Sequence, residues 1–371
     1  MRQSRGLYRR GRLRVKTSGG PRLRKVLTPL AARRSLKVME RTTRSSACLV
    51  LAAAACLAAC TPARAGFSDI LNRVKDRVGS ALLAHDVLAE PGTEVTLEAG
   101  LRSGLRLTGE EGRRIQFHLD ERRLGEVPSD TDGNAAVRWT APETCGDYVI
   151  RVRIKPDDQP DKPVEETQLL VAVRKPDTPM VVVDLDKTVV ASGFAWVLLG
   201  GAKPMTGANV VLERLAKAHT IVYLTHRPDF LGPKSKRWLT ENRFPTGPVL
   251  TSTLGGFLKG SGDYKAGRIA SLKRTYPNLA VGIGDKISDA RAYADHGLAS
   301  ILILHVDWSE DDPEDYEKLV GELASLPQAV HVVTNWSDVS AILFEKATRP
   351  KQAMEARLRQ VARDLRRRRK D

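Results

Sequence analysis

Two acids two residues apart, in Asp184-Leu185-Asp186-Lys187-Thr188, directly follow the unbroken run Met180-Val181-Val182-Val183. Such a run suits a central parallel strand buried on both faces. Ligands of open α/β sheets bind beyond the carboxyl ends of strands, so both carboxylates stand where a site is expected. A second apolar run, Thr220-Ile221-Val222-Tyr223-Leu224, ends in the hydroxyl of Thr225. A third, Leu279-Ala280-Val281-Gly282-Ile283-Gly284, leads into Asp285-Lys286-Ile287-Ser288-Asp289 and brings another pair of acids to a strand end. These residue types serve phosphoryl transfer well. A carboxylate attacking a phosphoryl group needs the charges of both neutralised, which Mg²⁺ held by oxygen ligands does. A second carboxylate protonates the leaving alkoxide. A hydroxyl and a lysine hold the transferring oxygens.

Positioning these groups takes several parallel strands and their connecting helices, so the fold class is α/β, a Rossmann-like parallel sheet. Each motif alone is weak, because aspartate and threonine at strand ends also cap the following helix. Their order along the chain is more specific, and in that order the sequence resembles the haloacid dehalogenase superfamily. The resemblance implies Asp184 as nucleophile and metal ligand, Asp186 as general acid/base and further metal ligand, and Thr188 completing the first motif in contact with substrate. It implies Thr225 as the phosphate-binding hydroxyl and Lys265, in Tyr264-Lys265-Ala266-Gly267-Arg268, as the third motif, with Lys259 as rival. Asp285 and Asp289 then complete a Mg²⁺ site. Arg227 has two readings, a bidentate phosphate contact and a structural salt bridge, and it is placed with Thr188 among the substrate-binding residues. His226 is read as facing solvent.

The intervals between the first three motifs are each under about 40 residues and leave no room for a large cap. An open site suits bulky substrates such as lipids. The wording Leu224-Thr225-His226-Arg227-Pro228, then Trp238-Leu239, then Phe244-Pro245-Thr246-Gly247-Pro248-Val249-Leu250, resembles the lipin-type domain of phosphatidate phosphatases and phosphatidylinositol-transfer proteins, and also the actin-patch-associated phosphatidate phosphatases. Lys187 departs from that pattern, which has glycine there. The resemblance implies an aspartyl-phosphate mechanism on phosphatidate or a related phospholipid. Alternatives are a broad-specificity exported acid phosphatase and a catalytically silent phospholipid-binding module.

Ahead of this region, residues 87–174 alternate in short segments broken by turn residues, which predicts strands at 94–101, 114–119, 135–139, 148–154 and 167–173. Asp132-Gly133-Asn134 and Pro91-Gly92 are turn signals. The sequence from Phe117-His118-Leu119-Asp120 to Gly146-Asp147-Tyr148 resembles bacterial immunoglobulin-like domains, implying a small all-β sandwich that serves as a spacer or binding module. His118 has no partner ligands at metal-binding spacing. Residues 155–163 read as a loop and 175–179 as a linker into an α/β domain over 178–345.

The chain has 371 residues and a formal charge of +16, unevenly placed. Residues 1–45 carry roughly +14 and residues 346–371 roughly +8, leaving the body near −6, so a specific nucleic-acid partner is not expected. The leading 38 residues are basic and read as untranslated or disordered, with Met39 as a candidate start. Residues 39–65 have the layout of a signal peptide, with an apolar run of about a dozen residues after Arg41 and Arg44. Leu57-Ala58-Ala59-Cys60 looks like a bacterial lipobox with Cys60 as the lipidated residue, and Ala63-Arg64-Ala65 offers a rival cleavage site. The expectation is an exported protein of the bacterial cell envelope, held at the membrane by its anchor; the basic tail from residue 346 reads first as a solvated tail and second as a helix that docks on anionic lipid.

Overall fold

Val181 and Val183 pack into one hydrophobic cluster while Met180 and Val182 pack into another, so the run that opens the α/β region is buried on both faces, as its composition predicts. This strand, β10 (Met180–Val183), lies between β11 (Thr220–Pro228) and β13 (Leu279–Gly284) and pairs parallel with both. The computed structural model describes residues 81–103, 108–158, 166–191, 202–252 and 261–369, all within one compact unit. With β12 (Val249–Ser252), β14 (Ala299–Ile303) and β15 (His331–Val333), the parallel sheet has the order β12-β11-β10-β13-β14-β15.

Helices α1 (Ala208–Ala216), α2 (Gly232–Glu241) and α6 (Trp336–Glu345) cover one face through Val211, Leu212, Trp238, Trp336 and Val339. Helices α3 (Ser261–Thr275) and α4 (Ile287–Asp295) cover the other through Ile269, Leu272 and Tyr293. Helix α5 (Pro313–Ala324) packs on α7 (Lys351–Arg368). The segment from residue 346, expected as a solvated tail, is therefore mostly a helix of the α/β body. Met354, Leu358 and Ala362 of α7 are buried, and Arg366 pairs with Glu317. Its apolar residues recur at helical spacing between the arginines, so the charges mark an exposed face. Among the described residues no helix is long and apolar enough to cross a membrane.

The preceding part is all β. One antiparallel sheet joins β1 (Ala81–Ala84), β3 (Glu94–Ser103), β4 (Thr108–Gly109) and β7 (Asn134–Thr140). A second has the order β2-β9-β8-β5-β6, from β2 (Val87–Ala89), β5 (Arg114–Leu119), β6 (Arg122–Pro128), β8 (Gly146–Ile154) and β9 (Thr167–Val173). Leu97, Leu101, Phe117, Ile150 and Val171 fill the core between them. The five predicted strands are present, and β1, β2, β4 and β6 are additional. Strand β6 was hidden because Arg122, Arg123 and Glu126 suit a solvent-facing edge, and its hairpin turns on Asp120, held at φ 50°.

Candidate active site

The strand order reverses between β10 and β13: the chain steps outward from β10 to β12, then returns to build β13 to β15 on the other side. Crevices at such reversals are where open α/β sheets bind ligands. Asp184 leaves β10 at this point, its N–H still donating to Ile283 O of β13 at 2.9 Å. The chain then folds tightly, with Leu185 O accepting from the amides of Thr188, Val189 and Val190. Lys187 takes φ 54° in this turn, and its carbonyl lies 2.6 Å from His305 Nε2.

On β13, two glycines let α4 approach. A Cβ on Gly282 would fall 2.2 Å from Tyr293 Cγ, and one on Gly284 would fall 2.9 Å from Asp289 Cβ. Without side chains at these places, α4 sets Asp289 in its first turn beside Asp285 at the strand end. Lys265 enters from α3 and is fully buried, its Nζ 2.7 Å from Asp184 Oδ1 and 2.6 Å from Asp289 Oδ2.

One oxygen from each of Asp184, Asp285 and Asp289 lies within 4.8 Å of the other two. Three carboxylates face one ammonium, and Oδ1 of Asp285 and Oδ1 of Asp289 are buried with no hydrogen-bond partner among the described residues. Buried unsatisfied carboxylate oxygens are costly, and a hard divalent cation satisfies such a set. Burial pushes the Asp184 carboxyl above its usual range, a rise that Lys265 opposes and Asp289 reinforces. Burial, then Asp184 and Asp289, push Asp285 up to about 7. Burial would lower the Lys265 ammonium, but Asp184 and Asp289 outweigh it and hold the group protonated. The residues present fit a Mg²⁺ site formed by Asp184, Asp285 and Asp289.

The Asp186 carboxylate is not among the three clustered side-chain oxygens. It turns to Arg227, whose Nε and Nη2 donate to Oδ2 at 2.9 Å and Oδ1 at 2.7 Å. Arg227 Nη1 donates to Ser235 Oγ at 2.8 Å, and Ser235 Oγ donates to Leu231 O. Arg227 therefore spends its buried guanidinium on the salt-bridge alternative, and the structure places no open phosphate fork there. Its backbone N–H donates to Thr225 Oγ1 at 3.2 Å, leaving that hydroxyl's own proton available. Thr188 is fully buried, with Oγ1 unpartnered among the described residues and its carbonyl accepting from Trp336 Nε1 at 2.8 Å. His226 lies against the Tyr264 ring, centroids 5.7 Å apart. Lys259, Cys60 and the whole leader fall outside the described residues.

Sequence reasoning missed Ser235. A serine on the inner face of an amphipathic helix carries little signal until the arginine it serves is located.

Residues 181–307, about a third of the chain, match the family model described as the LNS2 domain of PITM 1-3. That domain belongs to the haloacid dehalogenase-like, lipin-type phosphatase superfamily, and residues 181–307 are similar to it. No curated protein matches the chain. Among solved structures, the D0-D1 domain of intimin is 16% identical, with 25% of this chain and 45% of that chain covered and a TM-score of 0.19. Domains 4 and 5 of the S-layer protein SbsC are 13% identical over 25% of this chain and 50% of that one, with a TM-score of 0.18. The β-glucuronidase of Bifidobacterium dentium is 9% identical over 69% and 44%, with a TM-score of 0.25. The chain thus spans half or less of the length of these structures, and likeness at such scores assigns neither fold nor activity.

Proposed function

We propose that the α/β part is a haloacid dehalogenase-type phosphohydrolase that cleaves phosphomonoesters through an aspartyl-phosphate on Asp184, with phosphatidate or a related phospholipid as the favoured substrate. The observation that carries this reading is the cluster of Asp184, Asp285 and Asp289 around Lys265, with two buried carboxylate oxygens unsatisfied, at the strand reversal.

Asp184, Asp285 and Asp289 would hold a Mg²⁺, which would supply charge neutralisation between nucleophile and phosphate. An Asp184 oxygen attacks phosphorus and the bond to the leaving oxygen breaks. Protonated Asp186 gives its proton to the leaving alkoxide. Thr225 donates its hydroxyl proton to a phosphoryl oxygen. Lys265 keeps Asp184 aimed through the 2.7 Å contact. Asp186, now a carboxylate, takes a proton from water as the water attacks the phosphoryl group, and phosphate leaves with Asp184 restored.

The lipid preference rests on the PITM LNS2 match and on the short intervals between motifs. Export, anchoring through Cys60 and residence in the bacterial cell envelope belong to the same reading and rest on the leader sequence. A second reading, a module that binds phospholipid headgroups without turnover, is favoured by one observation: Arg227 occupies both oxygens of Asp186.

Phosphate release from phosphatidate in mixed micelles and from a soluble aryl phosphate, with and without Mg²⁺, separates the readings. Release from phosphatidate alone is expected. Release from both substrates identifies a broad phosphatase, and binding of phosphatidate without release identifies the silent module.

A further inference from the structure

Asp86 is a buried carboxylate that the chemistry above leaves unused. It sits in the turn between β1 and β2, and its side chain is 1% exposed. Its Oδ1 accepts from Leu170 N–H of β9 at 2.7 Å and from Lys236 Nζ of α2 at 2.5 Å, and its Oδ2 accepts from Val249 N–H of β12 at 2.8 Å. One side chain thus ties a sheet of the all-β part to the edge strand of the parallel sheet and to a helix. Lys236 Nζ also donates to Gln168 O at 3.0 Å and Ala84 O at 3.3 Å. Beside this knot, Leu88 of β2 packs against the core cluster of Val182 and Leu224.

Burying an ion pair costs desolvation free energy, and apolar residues of similar volume often serve stability as well or better. What a fully hydrogen-bonded pair supplies is a fixed position, and here it fixes α2. Ser235, the residue before Lys236, holds Arg227 Nη1, and Arg227 holds both oxygens of Asp186. A second contact runs from the same turn to the segment just after Arg227, His85 Nε2 lying 4.0 Å from Asp229 Oδ2.

We propose that Asp86 is a positioning residue for the acid/base. Through Lys236 and α2 it fixes Ser235 and Arg227, and hence the orientation of Asp186, which makes the all-β part a component of the site's scaffold in place of a spacer. The kinetic consequence rests on the phosphohydrolase reading; the geometric one does not.

The test compares the full chain with Lys236→Met, Asp86→Asn and Lys236→Arg. Lys236→Met leaves Asp86 its two backbone amides and severs the tie to α2. Hydrogen exchange of the Arg227 Nε proton is read by NMR, alongside kcat, KM and the pH profile on phosphatidate in mixed micelles with Mg²⁺. In Lys236→Met and Asp86→Asn, Arg227 Nε–H exchange is expected to quicken by about tenfold or more while the Val182 amide stays protected. Turnover should fall by about tenfold at constant KM with a displaced pH profile, and Lys236→Arg should recover part of both effects. Unchanged Arg227 exchange and kcat in folded Lys236→Met, even with a lower Tm, would overturn the proposal and leave Asp86 a purely structural residue. If the parent chain hydrolyses nothing, the phosphohydrolase reading fails, and the exchange measurement still decides whether Asp86 positions Arg227.

Discussion

Arg227 grips Asp186 through two parallel hydrogen bonds, with the arginine side chain 1% exposed and the carboxylate 22% exposed. The arginine is the buried partner and the carboxylate the more exposed one. A lysine offers one ammonium where the arginine offers a planar fork. Arg227→Lys should therefore lower kcat by about 10- to 100-fold with KM within about threefold, read from steady-state hydrolysis of phosphatidate. A raised KM at unchanged kcat would instead make Arg227 a substrate ligand.

Asp184→Asn removes the attacking oxygen's charge and keeps the side chain's shape. Turnover should fall by at least about a thousandfold, while sedimentation with phosphatidate vesicles stays as in the parent. Retained turnover would remove Asp184 from the nucleophile's place.

The carboxylates also set a pH dependence. Asp285 is pushed up to about 7 in the folded chain, above its ordinary value of 3.8. Its contribution to stability is therefore fullest below the ordinary carboxylate range and is lost as the pH rises through about 7. In EDTA, Asp285→Asn should be more stable than the parent at pH 8, by on the order of 2 kcal/mol after allowing for partial exposure, and the gap should close by pH 4. Excess Mg²⁺ should reverse the order at pH 8, because the parent alone keeps the full ligand set. Thermal unfolding at the two pH values checks all of this.

Gly282→Ala forces a methyl group into the Tyr293 ring, which is buried and closed in by α4. A loss of about 1–3 kcal/mol is expected in urea unfolding, with weakened Mg²⁺ binding because Asp289 rides on the same helix.

Lys187 holds a left-handed backbone conformation that suits glycine. Lys187→Gly should raise stability by about 0.5–1 kcal/mol in the same measurement, and a loss of phosphatidate hydrolysis alongside that gain would show that the ammonium contributes to the site.

Much of the site was legible because its chemistry is written next to strand ends. The run of residues 180–183 announces a buried parallel strand, and the acids after it need no long-range information to be noticed. Lys265 was found by motif order, and its meeting with two carboxylates depends on how α3 crosses the sheet. Illegible were the pairings that require tertiary geometry. Nothing local says that Arg227 turns inward to Asp186, 41 residues away. Strand β2, three residues long and paired parallel with β9, carries too short a pattern to read. The basic stretch at the end misled because charge density masked an apolar stripe.

Asp86 is separated from Lys236 by 150 residues and from Val249 by 163. On a ribosome the all-β part emerges first, so this carboxylate must wait with only the Leu170 amide as partner until α2 and β12 are made. Contacts so distant in sequence are slow to close. The nascent all-β part therefore meets the cell with a polar gap at the face where its other half will dock. Only when α2 and β12 arrive are the carboxylate's remaining partners in place, and that same step aims the acid.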